Sequence, residues 1–99
     1  MQFHDALFNW LQIELVARAR PQDAPAADTR DFFRDMLRED HGVVDLHLAH
    51  AAGEDWIDVQ GEQQAGPFAR RYPREQAEQL LHDINANPKY NEMPGESHE

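Results

Sequence analysis

The spacing of apolar residues changes near Gly42, and this change constrains the fold more than any other feature of the chain. Before Gly42, apolar side chains recur every three or four residues, which is the period of an α-helix. After Gly42 they alternate with polar residues, which is the period of a half-buried β-strand. Helices followed by strands and a further helix predict an α+β fold in which helices cover a sheet.

Two helices are predicted before the change of period. In residues 3–20, six apolar side chains fall within an arc of roughly 160° at about 100° per residue: Phe3, Leu7, Phe8, Trp10, Leu11 and Leu15. Pro21 ends this helix, and residues 21–27 are expected to form a loop. The second helix is predicted from Thr29 to His41, with Asp28 as its N-cap and Gly42 as a left-handed C-terminal residue.

Three strands and a last helix are predicted after Gly42. Gly53-Glu54 fits a type II′ hairpin loop, whose register sets Leu48 beside Val59. A third strand over residues 67–72 should lie at an edge of the sheet, because Pro67 lacks an N–H donor, and residues 61–66 should form the turn before it. A helix from Pro73 follows.

The order α-α-β-β-β-α predicts a two-layer fold, a three-stranded antiparallel β-meander packed with three helices. Residues 1–91 should form this single domain, and residues 92–99 should form a disordered acidic tail. The periodic apolar positions after the first helix give the expected core: Phe32, Phe33, Met36, Leu37, Leu46, Leu48, Ile57, Val59, Leu80, Leu81 and Ile84.

Net charge and composition narrow the class of partner. The formal net charge is -10, so phosphate backbones and anionic membranes are repelled, and basic protein surfaces are attracted. Cysteine is absent, which excludes disulfides and thiolate metal sites. No apolar run has the length of a membrane span or the form of a signal peptide, so we expect a cytoplasmic protein without a cofactor.

Two clusters could bind a small ligand. Asp45, His47 and Asp58 lie on one face of the predicted hairpin and could hold a divalent metal. A solvated face with His47 hydrogen-bonded to Asp58 is the favoured alternative, because no recognised ligand spacing is present. An anion could bind the second cluster, Arg70, Arg71 and Arg74, at the start of the last helix, although no glycine-rich phosphate loop accompanies it.

The first helix offers a candidate protein interface. Its apolar arc widens to roughly 220° when Ile13 is included, which exceeds the arc that one neighbour covers. The surplus residues are Phe3, Trp10 and Ile13, and interfaces are enriched in large aromatic residues. The pair Glu14 and Arg18 lies within the same arc, and we expect it at the exposed end of the arc, because lone charges are rarely fully buried. The alternative is that the pair is buried in an interface and sets the register of a dimer. The alternative is that the sheet and the second helix cover this helix from two sides.

These patterns favour a non-enzymatic protein-interaction or regulatory domain that binds another protein or itself as a homodimer. The sequence contains no nucleophile motif, and its only serine lies in the predicted tail. A small metal- or anion-binding protein, built on one of the two clusters above, is the alternative hypothesis.

Overall fold

The computed structural model describes residues 1–50 and 53–87. Two long helices are followed by three strands and two short helices: α1 (Phe3–Ala19), α2 (Ala24–His41), β1 (Asp45–Ala49), β2 (Trp56–Gln63), β3 (Gly66–Pro73), α3 (Arg74–Ala77) and α4 (Gln79–Ala86). The strands form one antiparallel sheet in the order β1-β2-β3. The predicted α+β architecture is therefore confirmed, with the last helical segment divided at Glu78. The predicted tail lies outside the described residues, as do Ala51 and Ala52, which precede the predicted Gly53-Glu54 loop.

Helix α1 lies at the centre of the core. Toward the sheet, Leu7, Trp10 and Leu11 belong to the same buried cluster as Ile57 and Val59 of β2. Toward α2 and α4, a second cluster contains Ile13, Val16, Ala17 and Ala26, with Leu80, Leu81 and Ile84 packed against it. Val16 lies outside the apolar arc of α1 and is nevertheless fully buried, because α1 has neighbours on several sides.

The other predicted core residues divide into three groups. Leu37, Ile57 and Val59 are fully buried, as predicted. Seven more are partly buried against the two clusters: Phe33, Met36, Leu46, Leu48, Leu80, Leu81 and Ile84. Phe32 was predicted wrongly, since it is 58% exposed and contacts the ring of Phe33 from the outside of α2.

Helix α2 begins earlier than the sequence suggested. Its N-cap is Asp23, whose Oδ1 accepts a hydrogen bond from the backbone N–H of Ala26 at 3.1 Å. Pro25 fits the first helical turn because the N–H that proline lacks has no helical partner there. The assignment of Asp28 as the N-cap was therefore wrong. At the other end Gly42 has φ of 69°, and its N–H bonds back to α2 carbonyls, as predicted.

The sheet has the predicted register, with Leu48 opposite Val59. The predicted turn over residues 61–66 was wrong, because β2 continues to Gln63 and pairs there with Gly66. Gly61 is a buried strand residue, and a Cβ atom there would collide with the Asp45 carbonyl oxygen and with the ring of Phe68. Glycine at this position lets β1 and Phe68 approach β2 closely.

Candidate functional site

The apolar surface of α1 is covered by the chain itself. Trp10 is 1% exposed, and Ile13 is also buried. Phe3 is half-buried, with its ring edge-on to those of Phe68 at 5.3 Å and His41 at 5.7 Å. The apolar residues of α1 that suggested an interface are therefore covered by the sheet and the other helices of the same chain. The alternative prediction, in which α1 is a central helix, is what the structure shows. Trp10 and Ile13 cannot serve as an exposed docking face.

Glu14 is buried between α1 and α2, so its expected place at an exposed end was wrong. Its Oε2 accepts a hydrogen bond from Arg18 Nε at 2.6 Å, and its Oε1 lies 3.7 Å from Arg30 Nε. Neither Glu14 Oε1 nor Trp10 Nε1 has a hydrogen-bond partner in the part of the chain that the structure describes. The Glu14 carboxylate on α1 thus attracts the Arg30 guanidinium on α2, which links the two long helices. Of these three side chains, that of Arg18 is the most exposed.

The three candidate metal ligands do not converge. Asp45 Oδ2 lies 3.7 Å from His47 Nδ1 on the outer face of the sheet. Asp58 instead accepts two hydrogen bonds from Arg71, at 2.8 and 3.2 Å, and these bonds lower the pKa of its carboxyl group. Asp58 lies diagonal to His47 in the register, but it bonds to Arg71, so the expected hydrogen bond between His47 and Asp58 was wrong. Among residues 1–50 and 53–87, no group of three or more His, Asp or Glu side chains is placed to hold a metal ion.

The three candidate anion-binding arginines are separated. Arg70 and Arg71 are consecutive strand residues and so point to opposite faces of the sheet. The guanidinium of Arg70 lies over the Phe3 ring on the helical side, whereas Arg71 binds Asp58 on the outer side. Arg74 binds Glu78, with Nε 3.1 Å from Oε2. Each guanidinium already has a local partner.

A cleft that sequence reasoning did not single out lies at the end of the hairpin beside the last helices. We call it the Trp56 cleft; its volume is about 690 Å³, and it is lined by Asp55, Trp56, Pro73, Arg74, Glu75, Glu78 and His82. Trp56 is 46% exposed on the outer face, opposite Pro73. The guanidinium of Arg71 lies 5.9 Å from the centre of the indole ring. The signal in the sequence was an aromatic residue at an outward strand position.

The Trp56 cleft has an excess of negative charge. Glu78 is neutralised locally, since Oε2 binds Arg74 and Oε1 lies 3.8 Å from His82 Nε2. Asp55 and Glu75 form no ion pair with any residue that the structure describes. The cleft therefore combines an accessible indole with two uncompensated carboxylates, which is the arrangement that binds a cation.

The described helices contain no segment that is long and apolar enough to cross a membrane. No protein-family model matches the chain, and no curated protein or solved structure matches it.

Proposed function

We propose that this chain is a non-enzymatic protein-interaction domain whose docking surface is the Trp56 cleft, and that its partner presents a basic segment. The observation that carries the proposal is the half-exposed indole beside two carboxylates that form no ion pair within residues 1–50 and 53–87. We expect a lysine or arginine side chain of the partner to approach the ring and reach Asp55 or Glu75.

The indole supports this role through both its apolar surface and its π-electrons. Tryptophan is enriched in the residues that contribute most to protein interfaces, because it buries a large rigid area. The face of its ring also attracts cations, most often guanidinium groups. The guanidinium of Arg71 already lies 5.9 Å from the centre of the Trp56 ring, so a partner's cation has to approach the part of the indole that Arg71 leaves exposed.

The charge of the whole chain favours the same class of partner. A formal net charge of -10 attracts a basic protein over distance and accelerates association at low salt. The same charge opposes pairing of two copies. Because the proposed homodimer residues Trp10, Ile13 and Glu14 are buried, a different, basic protein is the better-supported partner.

The test uses the two tryptophans as internal reporters. Acetylated and amidated tri-arginine is titrated into ¹⁵N-labelled protein at about 0.15 M salt, where surface charges farther apart than roughly 8 Å are screened. The indole N–H signal of Trp56 should shift and saturate, while that of buried Trp10 should stay in place. Equal shifts at both indoles, or none at Trp56, would contradict the proposal.

Charge-matched variants separate the cleft from the overall charge. Asp55→Asn and Glu75→Gln should each weaken the binding of tri-arginine by about two- to fivefold, the effect of one exposed ion pair. Asp40→Asn is the control, because it changes the net charge equally at an exposed position on α2. If the control weakens binding as much as Asp55→Asn, the attraction is non-specific and the Trp56 cleft is not the docking surface.

A further inference from the structure

Strand β1 has an open edge. The sheet order is β1-β2-β3, so β1 pairs only with β2, and its other side has no strand neighbour in the described chain. In an edge strand, alternate backbone N–H and C=O groups point away from the sheet and can pair with another extended segment. Unlike β3, which contains Pro67 and Pro73, β1 has no proline to block such pairing.

A cleft flanks this edge at the corner between α2 and β1. It has a volume of about 240 Å³ and is lined by Arg34, Arg38, Val43, Val44, Asp45 and Leu46. The Gly42 turn forms the corner, where the N–H of Val43 bonds to the Leu37 carbonyl. Val44 is 70% exposed, so apolar surface is accessible directly beside the start of the strand.

The charge of this cleft is opposite to that of the Trp56 cleft. Arg34 and Arg38 are one helical turn apart on α2, and Asp45 is the only acid in the lining. Arg38 is compensated by Asp35 and Glu39. Arg34 makes no ion pair with any residue in the described ranges, so it offers a free guanidinium beside the strand edge.

We propose that the open edge of β1 binds an extended, carboxylate-bearing segment of a partner protein by strand addition. The backbone of the segment pairs with β1, its apolar side chains cover Val44 and Leu46, and a carboxylate binds Arg34. The charge complementarity at Arg34 selects an acidic segment, although the chain as a whole is acidic. A second copy is a poorer occupant than a short segment, because two whole chains that each carry a formal net charge of -10 repel one another.

The probe is an acetylated and amidated hexapeptide of alternating valine and glutamate, titrated into ¹⁵N-labelled protein. Its binding should shift the backbone amides of β1 and slow their hydrogen exchange. The same peptide with every amide N-methylated keeps the carboxylates and loses the N–H donors, so it should not bind. Equal binding of both peptides, or protection outside β1, would overturn strand addition.

Two arginine variants locate the carboxylate contact. Arg34→Gln should weaken binding of the hexapeptide by about two- to fivefold, as expected for one exposed ion pair. Arg70→Gln removes the same charge from β3, where Arg70 lines neither of the two clefts, and should leave binding unchanged. Equal effects of the two variants would overturn the assignment of Arg34. So would β1 amides whose protection in the free protein rises with protein concentration, because that result identifies a second copy as the occupant. Neither result depends on the Trp56 cleft.

Discussion

The two tryptophans of the chain occupy opposite environments. Trp10 is 1% exposed on α1, enclosed by the sheet and the neighbouring helices, whereas Trp56 is 46% exposed on the outer face of the sheet. The sequence pattern favoured Trp10 as the interface residue, because it added to an apolar arc that one neighbour could not cover. The structure supplies the additional neighbours, which leaves Trp56 as the tryptophan that can contact another molecule.

This difference shows what periodicity does and does not determine. An apolar arc indicates which sides of a helix avoid water, but it does not tell whether the same chain or another chain provides the cover. An aromatic residue at an outward strand position has no such ambiguity once the strand register is known. Trp56 faces outward because Ile57 and Val59 face inward.

The largest expected effect is the loss of Trp10. Trp10→Ala should lower the free energy of unfolding by about 3–5 kcal/mol, because a large fully buried side chain leaves a cavity at the centre of the core. Urea denaturation followed by circular dichroism measures the change. Phe32→Ala is the control, since Phe32 is mostly exposed, and its effect should stay within about 0.5 kcal/mol. Similar effects of the two variants would contradict the central position of α1.

The next prediction compares the inner and outer faces of β2. Gly61→Ala should cost about 1–3 kcal/mol, because the added methyl group meets the Asp45 backbone and the Phe68 ring, and only the ring can move. Gln60→Ala changes the adjacent exposed residue on the outer face and should alter stability by less than about 0.5 kcal/mol. Urea midpoints of both variants provide the comparison. A neutral Gly61→Ala would show that β1 and β2 are farther apart than described.

Much of the fold followed from local chemistry. The hairpin register was predictable because alternating residues fix the buried face and Gly53 fixes the position of the turn; its φ is 84°. The end of α2 was predictable for the same reason, because Gly42 adopts the left-handed conformation that a helix terminus needs.

The failures came from features that local patterns do not contain. The prediction made Asp28 the cap of α2 and assigned Pro25 to a loop, whereas Asp23 caps the helix and Pro25 fits its first turn. The burial of Val16 and Glu14 depends on where α2 and α4 pack, which the sequence of α1 does not specify. The candidate anion site failed because consecutive strand residues such as Arg70 and Arg71 point to opposite faces.

A smaller effect is expected at the N-cap of α2. Asp23→Ala should cost about 1 kcal/mol at neutral pH, because the N–H of Ala26 loses its acceptor. Hydrogen bonds from Arg20 and from the Ala26 N–H lower the pKa of Asp23 below the usual value of an aspartate side chain. A lowered pKa in the folded state means that the stabilisation is present above about pH 4 and is lost as the pH falls through the folded-state value.

Denaturation of wild type and Asp23→Ala across this acidic range checks both parts of the prediction. The difference in stability should shrink as the pH is lowered below about 4. Asp58→Ala is the comparison on the outer face, where Arg71 also lowers the pKa of the carboxyl group but no helix is capped. It should destabilise the protein less than Asp23→Ala. The opposite order would contradict the capping role of Asp23.

The smallest effect on stability is expected at Trp56. Trp56→Ala should change the free energy of unfolding by less than about 0.5 kcal/mol, because the side chain lies on the outer face of the sheet and belongs to neither buried cluster. The same variant should weaken binding of tri-arginine by about two- to thirtyfold, the range expected for a lost cation–π contact. A folded Trp56→Ala protein with unchanged affinity would remove the indole from the docking surface.

Hydrogen exchange at the two indole N–H groups tests the central contrast most directly, measured with and without tri-arginine. The account predicts that Trp10 exchanges slowly in both samples, near the rate set by global unfolding. It predicts that Trp56 exchanges quickly in the free protein and more slowly with the peptide bound. A rapidly exchanging Trp10, or a Trp56 already protected in the free monomer, would contradict the assignment of one tryptophan to the core and the other to the docking surface.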